Sequence, residues 1–383
     1  MAFFKEGRDY VDGAQYNISS RHWLELSPYF NLSVAPRIQF EFPHNKPLDQ
    51  DQFFVDELQA TAQFKNVRLS VGRAPLVLGQ SSYGGFILST NARAVDQIIL
   101  SNDHPFRFPW IFKYLGDQKL VAYFGTLGPE YSFKNTLLSG YKWTLKPLNN
   151  WEMGLSNVMT IGGEGAPSFG ALDFIGDFAG FSGTSNSVSN RILGFDTRVG
   201  IPKLNGLEIY AEAFWDDKTF KSLKRTLIDT SEYKLGFYLP TLTSNGRLSG
   251  RLELKYVSEL FYRHSQFQSG YTLNNEILGD PLGPDGKSVD VNFDYAWNNK
   301  AQSQLKLTYI TSDSNTYSNT GNSINKTADG LKETHFMFGL NQKYQIKKID
   351  LLGSVLVDYV TNKDFVANKK LDYFLSTRVK YDF

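Results

Sequence analysis

The 383-residue sequence has no cysteine, no long apolar run and no surplus of either charge. Lack of cysteine excludes a disulfide scaffold, a thiolate zinc site, an iron–sulfur protein and a cysteine nucleophile. With 40 basic and 39 acidic side chains the net charge is +1, so nucleic acid is not an expected partner through bulk positive charge. The longest uncharged apolar stretches are short, as at Ala74-Pro75-Leu76-Val77-Leu78. A membrane-crossing helix needs roughly 20 such residues. The five histidines (His22, His44, His104, His264, His335) show no metal-ligand spacing, and neither metal nor other cofactor is expected. Met1-Ala2-Phe3-Phe4-Lys5 lacks the basic start and apolar core of a secretory leader.

What is abundant is aromatic: 30 Phe, 21 Tyr and 6 Trp make up 15% of residues, with 32 Gly beside them. A membrane protein without spanning helices has to be a closed β-barrel, because only a closed sheet pairs every backbone group in lipid. The end of the chain fits that form. From Tyr373, odd positions read Tyr, Leu, Thr, Val, Tyr, Phe, while Ser376, Arg378, Lys380 and Asp382 share the other face. Val289, Val291, Phe293, Tyr295 and Trp297 alternate with Asp290, Asn292 and Asp294. Leu248, Leu252, Leu254 and Tyr256 oppose Arg247, Arg251, Glu253 and Lys255.

Strands are expected at 14–20, 22–34, 36–43, 53–64, 66–73, 86–101, 118–127, 135–146, 151–160, 190–200, 206–216, 231–240, 247–258, 288–298, 301–312, 332–346, 350–360 and 371–383. Many are 10–12 residues long, the length of a tilted crossing of hydrocarbon. Trp215, Tyr256, Trp297, Tyr309, Tyr359, Tyr373 and Tyr381 fall near strand ends, as in an interfacial aromatic girdle. Short connections at 347–349, 298–300, 241–246, 202–205 and 148–150 alternate with long ones at 313–331, 259–287, 217–230 and 161–189. Short periplasmic turns and long outer loops give this rhythm. The expectation is an all-β, transmembrane antiparallel barrel of about 18 strands over 14–383, in contact with outer-membrane lipid. Residues 1–13 form an N-terminal segment ahead of it. The chain ends on Phe383, like the last strand of bacterial outer-membrane barrels, where a final aromatic signals to the barrel-assembly machinery.

Three stretches break the pattern. His104 to Asp117 holds two prolines with Phe106, Phe108, Trp110 and Phe112, and is expected to fold into or under the barrel. After Pro167, Leu172, Ile175, Phe178 and Ala179 recur at helical spacing. The short helix expected there caps or plugs the barrel, or offers a surface to a partner. The loop at 259–287 combines aromatics, a histidine and repeated Gly, Pro and Asp.

The loop reads Tyr262-x-His264-Ser265-x-Phe267-x-x-Gly270-Tyr271, with Gly279, Gly283, Asp285 and Ser288 after it. In these residues it resembles the Wzi capsule-assembly family of outer-membrane proteins. Val71-Gly72-Arg73, Gly79 and Leu88-Ser89-Thr90-Asn91-Ala92 match earlier, so the similarity spans roughly residues 50 to 300. It implies a plugged barrel of 18 strands in the bacterial outer membrane, with a lectin-like role: holding capsular or other surface polysaccharide. Members can carry a helical segment before the first strand. About 13 residues precede it here, so a periplasmic subdomain is expected to be absent or to have been trimmed.

Carbohydrate sites place aromatic faces against apolar sugar patches and polar side chains against hydroxyls. Tyr262, Phe267, Tyr271, Asn274, Asn275 and Asp285 have the right chemistry, and His264 lies among them. The alternative is that these rings pack the loop onto the barrel rim and His264 bonds backbone. Catalysis is not expected. His264 and Ser265 are adjacent with no Gly-x-Ser-x-Gly turn, and Asp216-Asp217 reads as the start of a solvated loop. The rival function is a porin or substrate-specific channel. Arg251, Glu253, Lys255, Asp290, Asp294, Arg378 and Lys380 are the expected lumen charges, and they suit either a wet pore or a cross-linked filling.

Overall fold

A computed structural model describes residues 7–8, 10–44, 52–81, 84–179, 188–216, 225–320 and 323–382. Its strands are β1 (Gly13–Ser19), β2 (His22–Ser27), β3 (Phe30–Pro43), β4 (Gln52–Phe64), β5 (Val67–Arg73), β6 (Asp96–Asn102), β7 (Asp117–Thr126) and β8 (Leu137–Leu148). Then come β9 (Trp151–Ile161), β10 (Ser189–Ile201), β11 (Leu207–Asp216), β12 (Ser231–Leu239), β13 (Leu248–Val257), β14 (Thr272–Leu273) and β15 (Glu276–Ile277). The last are β16 (Gly286–Ala296), β17 (Ala301–Asp313), β18 (Thr316–Thr320), β19 (Ser323–Ala328), β20 (Lys332–Ile346), β21 (Ile349–Thr361) and β22 (Lys369–Tyr381). Eighteen of these form one antiparallel sheet, and β14–β15 and β18–β19 are separate hairpins in long loops.

Each strand of the sheet pairs with its neighbour in sequence, from β3–β4 through β21–β22. β1 and β2 lie end to end along the free side of β3. The two ends of the sheet approach each other: the ring of Tyr10, just ahead of β1, stands edge-on to Phe374 of β22 at 5.4 Å, and Arg21, between β1 and β2, is within electrostatic reach of Lys380. The sheet is therefore curled into a barrel. Among the described residues, no helix is long and apolar enough to cross a membrane.

The alternation in the sequence sets which side faces out. On β16, Ser288, Asp290 and Asn292 are buried inward while Val289 and Phe293 stay exposed. On β22, Tyr373 is 81% exposed and Leu375 74%. An apolar outside and a polar inside invert the plan of a soluble barrel and fit a sheet wrapped in hydrocarbon. Turns at the short-loop end use backbone that most residues avoid, such as Asn205-Gly206 (φ 53° and 76°) and Lys347 (φ 54°).

Three expectations need correction. The break expected between strands 22–34 and 36–43 falls instead at Pro28-Tyr29, and Pro36 sits inside β3 where the pairing with β4 shifts register. A register shift spares proline the ladder hydrogen bond it cannot donate. The strand expected at 86–101 is only β6, and the residues before it turn into the lumen. The segment at 104–117 does not enter the barrel. It lies against the outer wall at the short-turn end, where Phe106 bridges to Gln118 and Gln118 Nε2 donates to the Phe112 carbonyl at 3.2 Å. It covers Gln118 and Leu145, outward residues that are 0% and 6% exposed.

The expected short helix is α1 (Ala171–Phe178). It too lies outside the wall, at the long-loop end. Phe178 stacks on outward-facing Phe124 at 5.5 Å and meets Tyr141 at 5.4 Å. Leu172 and Ile175 remain exposed. The filling of the barrel therefore comes from loops, not from this helix. Phe383 and parts of the loops at 161–189, 217–230 and 313–331 lie outside the described residues.

Candidate functional site: the filled lumen

Two loops from the long-loop end meet inside the barrel: residues 74–95 between β5 and β6, and residues 258–285 between β13 and β16. Phe86, Ile87, Leu88, Phe261, Phe267 and Tyr271 join Tyr123, Leu138, Val158, Ile192 and Phe214 of the wall in one buried cluster. The loops are stitched together by Ser89 N to the Leu278 carbonyl at 2.9 Å. Ser89 Oγ to the Gly279 carbonyl (2.5 Å) and Asn91 Nδ2 to the Ile277 carbonyl (2.9 Å) add to the seam.

A loop inside a barrel carries backbone donors that must be met. Wall carboxylates meet them here. Glu212 Oε1 accepts from the Gln80 and Ser81 amides at 2.6 and 3.2 Å. Asp196 Oδ1 accepts from Gln80 Nε2 at 2.5 Å, and Glu253 accepts from Ser81 Oγ at 2.6 Å and from Tyr210 OH at 2.5 Å. Cations balance these buried anions: Lys142 to Asp196 at 2.7 Å, Lys234 to Glu212 at 3.5 Å and Lys255 to Asp280 at 3.0 Å. Burial would push the Asp280 carboxyl up, but Lys255 and Lys234 outweigh it and hold it below the ordinary carboxylate range.

The structure puts Tyr262, His264, Phe267 and Tyr271 in the interior of this filling, each at most 6% exposed. Tyr262 OH donates to the Phe86 carbonyl at 2.7 Å and accepts from the Asp280 amide at 3.0 Å. Its ring stacks on Tyr271 at 5.7 Å, and burial raises both phenols well above their usual value. His264 Nδ1 accepts from the Gln266 and Phe267 amides at 3.2 and 3.1 Å. These four side chains present no free ring face, so the packing alternative describes their position. Asn274 and Asn275 are exposed at the β14–β15 turn, at φ 50° and 63°. Asp285 lies 4.0 Å from Arg263.

The lumen charges divide. Glu253, Lys255 and Asp290 are buried in the filling, and Asp290 accepts from Ser288 and Thr308 at 3.0 and 2.7 Å. Arg251 donates to Tyr210 OH at 3.0 Å, and Asp294 accepts from Gln304 at 2.8 Å. Arg378 and Lys380 face the lumen on β22 and are exposed. Sequence reasoning missed Gln80, Ser81 and Phe86, the centre of the filling. Their signal is the run Gly79-Gln80-Ser81-Ser82-Tyr83-Gly84-Gly85, too rich in Gly and Ser for a strand.

The sequence matches the capsule assembly protein Wzi family over residues 2–370. No match was found among curated protein sequences. The fold is similar to that of Wzi from Escherichia coli, an outer-membrane protein involved in group 1 capsule assembly and a carbohydrate-binding β-barrel. The likeness has a TM-score of 0.73 at 17% identity, over 95% of this chain and 77% of that one. It is more distantly similar to OccD3 (OpdP) of Pseudomonas aeruginosa, with a TM-score of 0.52 at 12% identity over 100% and 95% of the two chains. The barrel thus lies in the bacterial outer membrane, and the chain belongs to the Wzi capsule-assembly family.

Proposed function

We propose that this barrel binds capsular or other surface polysaccharide and anchors it to the cell, without catalysing a reaction. The supporting observation is the filling of the lumen. Two loops held by buried ion pairs fill the side of the lumen lined by β8 to β13, space that a porin would leave free for solute. Asn274 and Asn275 are exposed polar groups of the 258–285 loop that offer hydrogen bonds to sugar hydroxyls, while the Asp285 side chain is largely buried beside Arg263. Tyr262, His264, Phe267 and Tyr271 hold the loop in place behind them. Phe383 is the group the barrel-assembly machinery reads. Many weak contacts along one polymer add through avidity, so modest contacts suffice for retention.

The test is removal of the protein from its host, followed by measurement of cell-bound and released polysaccharide. Released polymer with unchanged total synthesis is the expected result. Unchanged retention, together with steady single-channel conductance of the purified protein, would establish the channel instead.

A further inference from the structure

A cavity of about 240 Å³ lies beside the filling, between the 74–95 loop, β4, the start of β6 and the N-terminal residues Arg8 and Arg21. Its lining includes Arg8, Arg21, Arg93, Asp56 and Glu57. Both carboxylates are already engaged. Asp56 receives Arg37 through two hydrogen bonds of 2.8 and 3.1 Å, and Glu57 lies 3.3 Å from Arg21. Nearby, Asp96 is held by Arg73 at 2.5 and 2.8 Å. Among the described residues, even counting Glu41, joined to Arg37 through Gln39, the guanidinium groups (Arg8, Arg21, Arg37, Arg73, Arg93) outnumber the carboxylates (Glu41, Asp56, Glu57, Asp96) five to four.

Arg93 is the group left short. Its Nη2 reaches only a backbone carbonyl, that of Val55, at 3.3 Å, and its Nε is buried with no acceptor among the described residues. Burial first, and then the neighbouring Arg73, lower its pKa against the opposing pull of Asp56 and Asp96. On the same lining, Gln97 Oε1 is buried with no donor among the described residues, while its Nε2 is taken by the Ala74 carbonyl at 3.0 Å. Arg93 and Gln97, each with a buried polar atom left unpaired, thus both line this cavity. Native structures leave few such groups unpaired.

Building on the proposed polysaccharide binding, we infer that this cavity is a subsite for an acidic sugar residue, with Arg93 receiving the carboxylate and Gln97 a hydroxyl. A planar guanidinium suits a carboxylate, to which it can donate two parallel hydrogen bonds. The volume lies below the roughly 300–1,000 Å³ of sites for drug-sized ligands, so it suits one sugar unit of a chain. Arg73 ends β5 and Asp96 begins β6, which puts the cavity toward the long-loop end, expected to be the outer one, where a polymer arrives.

The test compares an oligogalacturonate with a malto-oligosaccharide of equal length, titrated onto the detergent-solubilised full chain. The acidic oligomer is expected to bind at least about tenfold tighter at low salt, with the advantage shrinking as salt screens it. Arg93→Gln should remove most of that advantage. Arg93→Lys, which keeps the charge and loses the fork, should retain part of it and serves if the first variant fails to assemble. Equal affinity for the two oligomers, or an undiminished preference in a folded Arg93→Gln protein, overturns the subsite alone. No binding of either oligomer by the wild type overturns the polysaccharide reading and the subsite with it.

Discussion

From β8 round to β13, side chains facing the lumen are buried: Leu138, Ser156, Val158, Asp196, Tyr210, Glu212, Lys234 and Glu253 all lie under the two inner loops. On β22 the corresponding positions are open, with Asp372, Phe374 and Ser376 half-buried and Arg378 and Lys380 exposed. The same alternating strand builds both sides. What differs is whether a loop supplies partners. An inward charge on the open side is solvated, whereas one on the filled side is stable only because a specific atom of the loop or of a neighbouring strand meets it.

The largest expected contrast comes from removing one cation on each side. Lys234 sits fully buried with Glu212 at 3.5 Å, the Gly84 carbonyl at 3.2 Å and the Phe86 ring at 4.2 Å. Lys234→Met leaves Glu212 buried without its cation, a loss of about 3–5 kcal/mol. Lys380 is exposed and pairs with exposed Asp382 at 2.8 Å, so Lys380→Met should leave stability unchanged within error. Denaturant unfolding of the two variants in detergent decides. Equal losses would mean that the filling does not carry the charge balance assigned to it.

A smaller contrast tests packing. A Cβ on Gly279 would come within 1.9 Å of the Phe86 carbonyl, so the two inner loops would have to part. Gly339, inward on β20, would place a Cβ no nearer than 3.4 Å to anything. Gly279→Ala should cost about 1–3 kcal/mol. Gly339→Ala should be neutral, or stabilise by up to about 1 kcal/mol through the unfolded chain. A tolerated Gly279→Ala would show that the seam between the loops is loose.

This contrast also explains what could be read from sequence. Wall strands declare themselves by period-two alternation, which needs only the two faces to differ. That is why β7 to β13, β16, β17 and β20 to β22 fall within a few residues of expectation. The filling has no period. Phe86 to Leu88 look like strand residues because they are apolar, and it is the bonds of Phe86 to Tyr262 and of the next residue, Ser89, to Leu278 and Gly279 that hold them inward. The rings of Tyr262, Phe267 and Tyr271 are chemically suited to sugars, yet suitability does not say whether a face is free. Nor does an amphipathic period say which side of a wall a helix will cover, so α1 was legible as a helix and not as an outer buttress. The arginine-rich cavity gathers Arg8, Arg21 and Arg93 from three separate segments, and no local motif marks it.

The smallest perturbation gives the finest reading of the two sides, and the absence of cysteine makes it clean. Ser156 on β9 and Ser376 on β22 both face the lumen, the first 1% exposed and the second half-buried. Serine to cysteine changes one atom, so neither variant should lose measurable stability. Each places a single thiol in a protein that otherwise has none. A thiol reacts as its thiolate and only where a reagent can reach it. A membrane-impermeant maleimide added to the folded protein should therefore label Ser376→Cys readily and leave Ser156→Cys unlabelled until denaturant is added. Combining Ser156→Cys with Gly279→Ala sharpens the reading. If the seam between the loops holds the filling in place, the added methyl group should expose the buried thiol. Rapid labelling of Ser156→Cys in the otherwise wild-type barrel would mean that solvent passes along β9, and the filled side would then be no more closed than the open one.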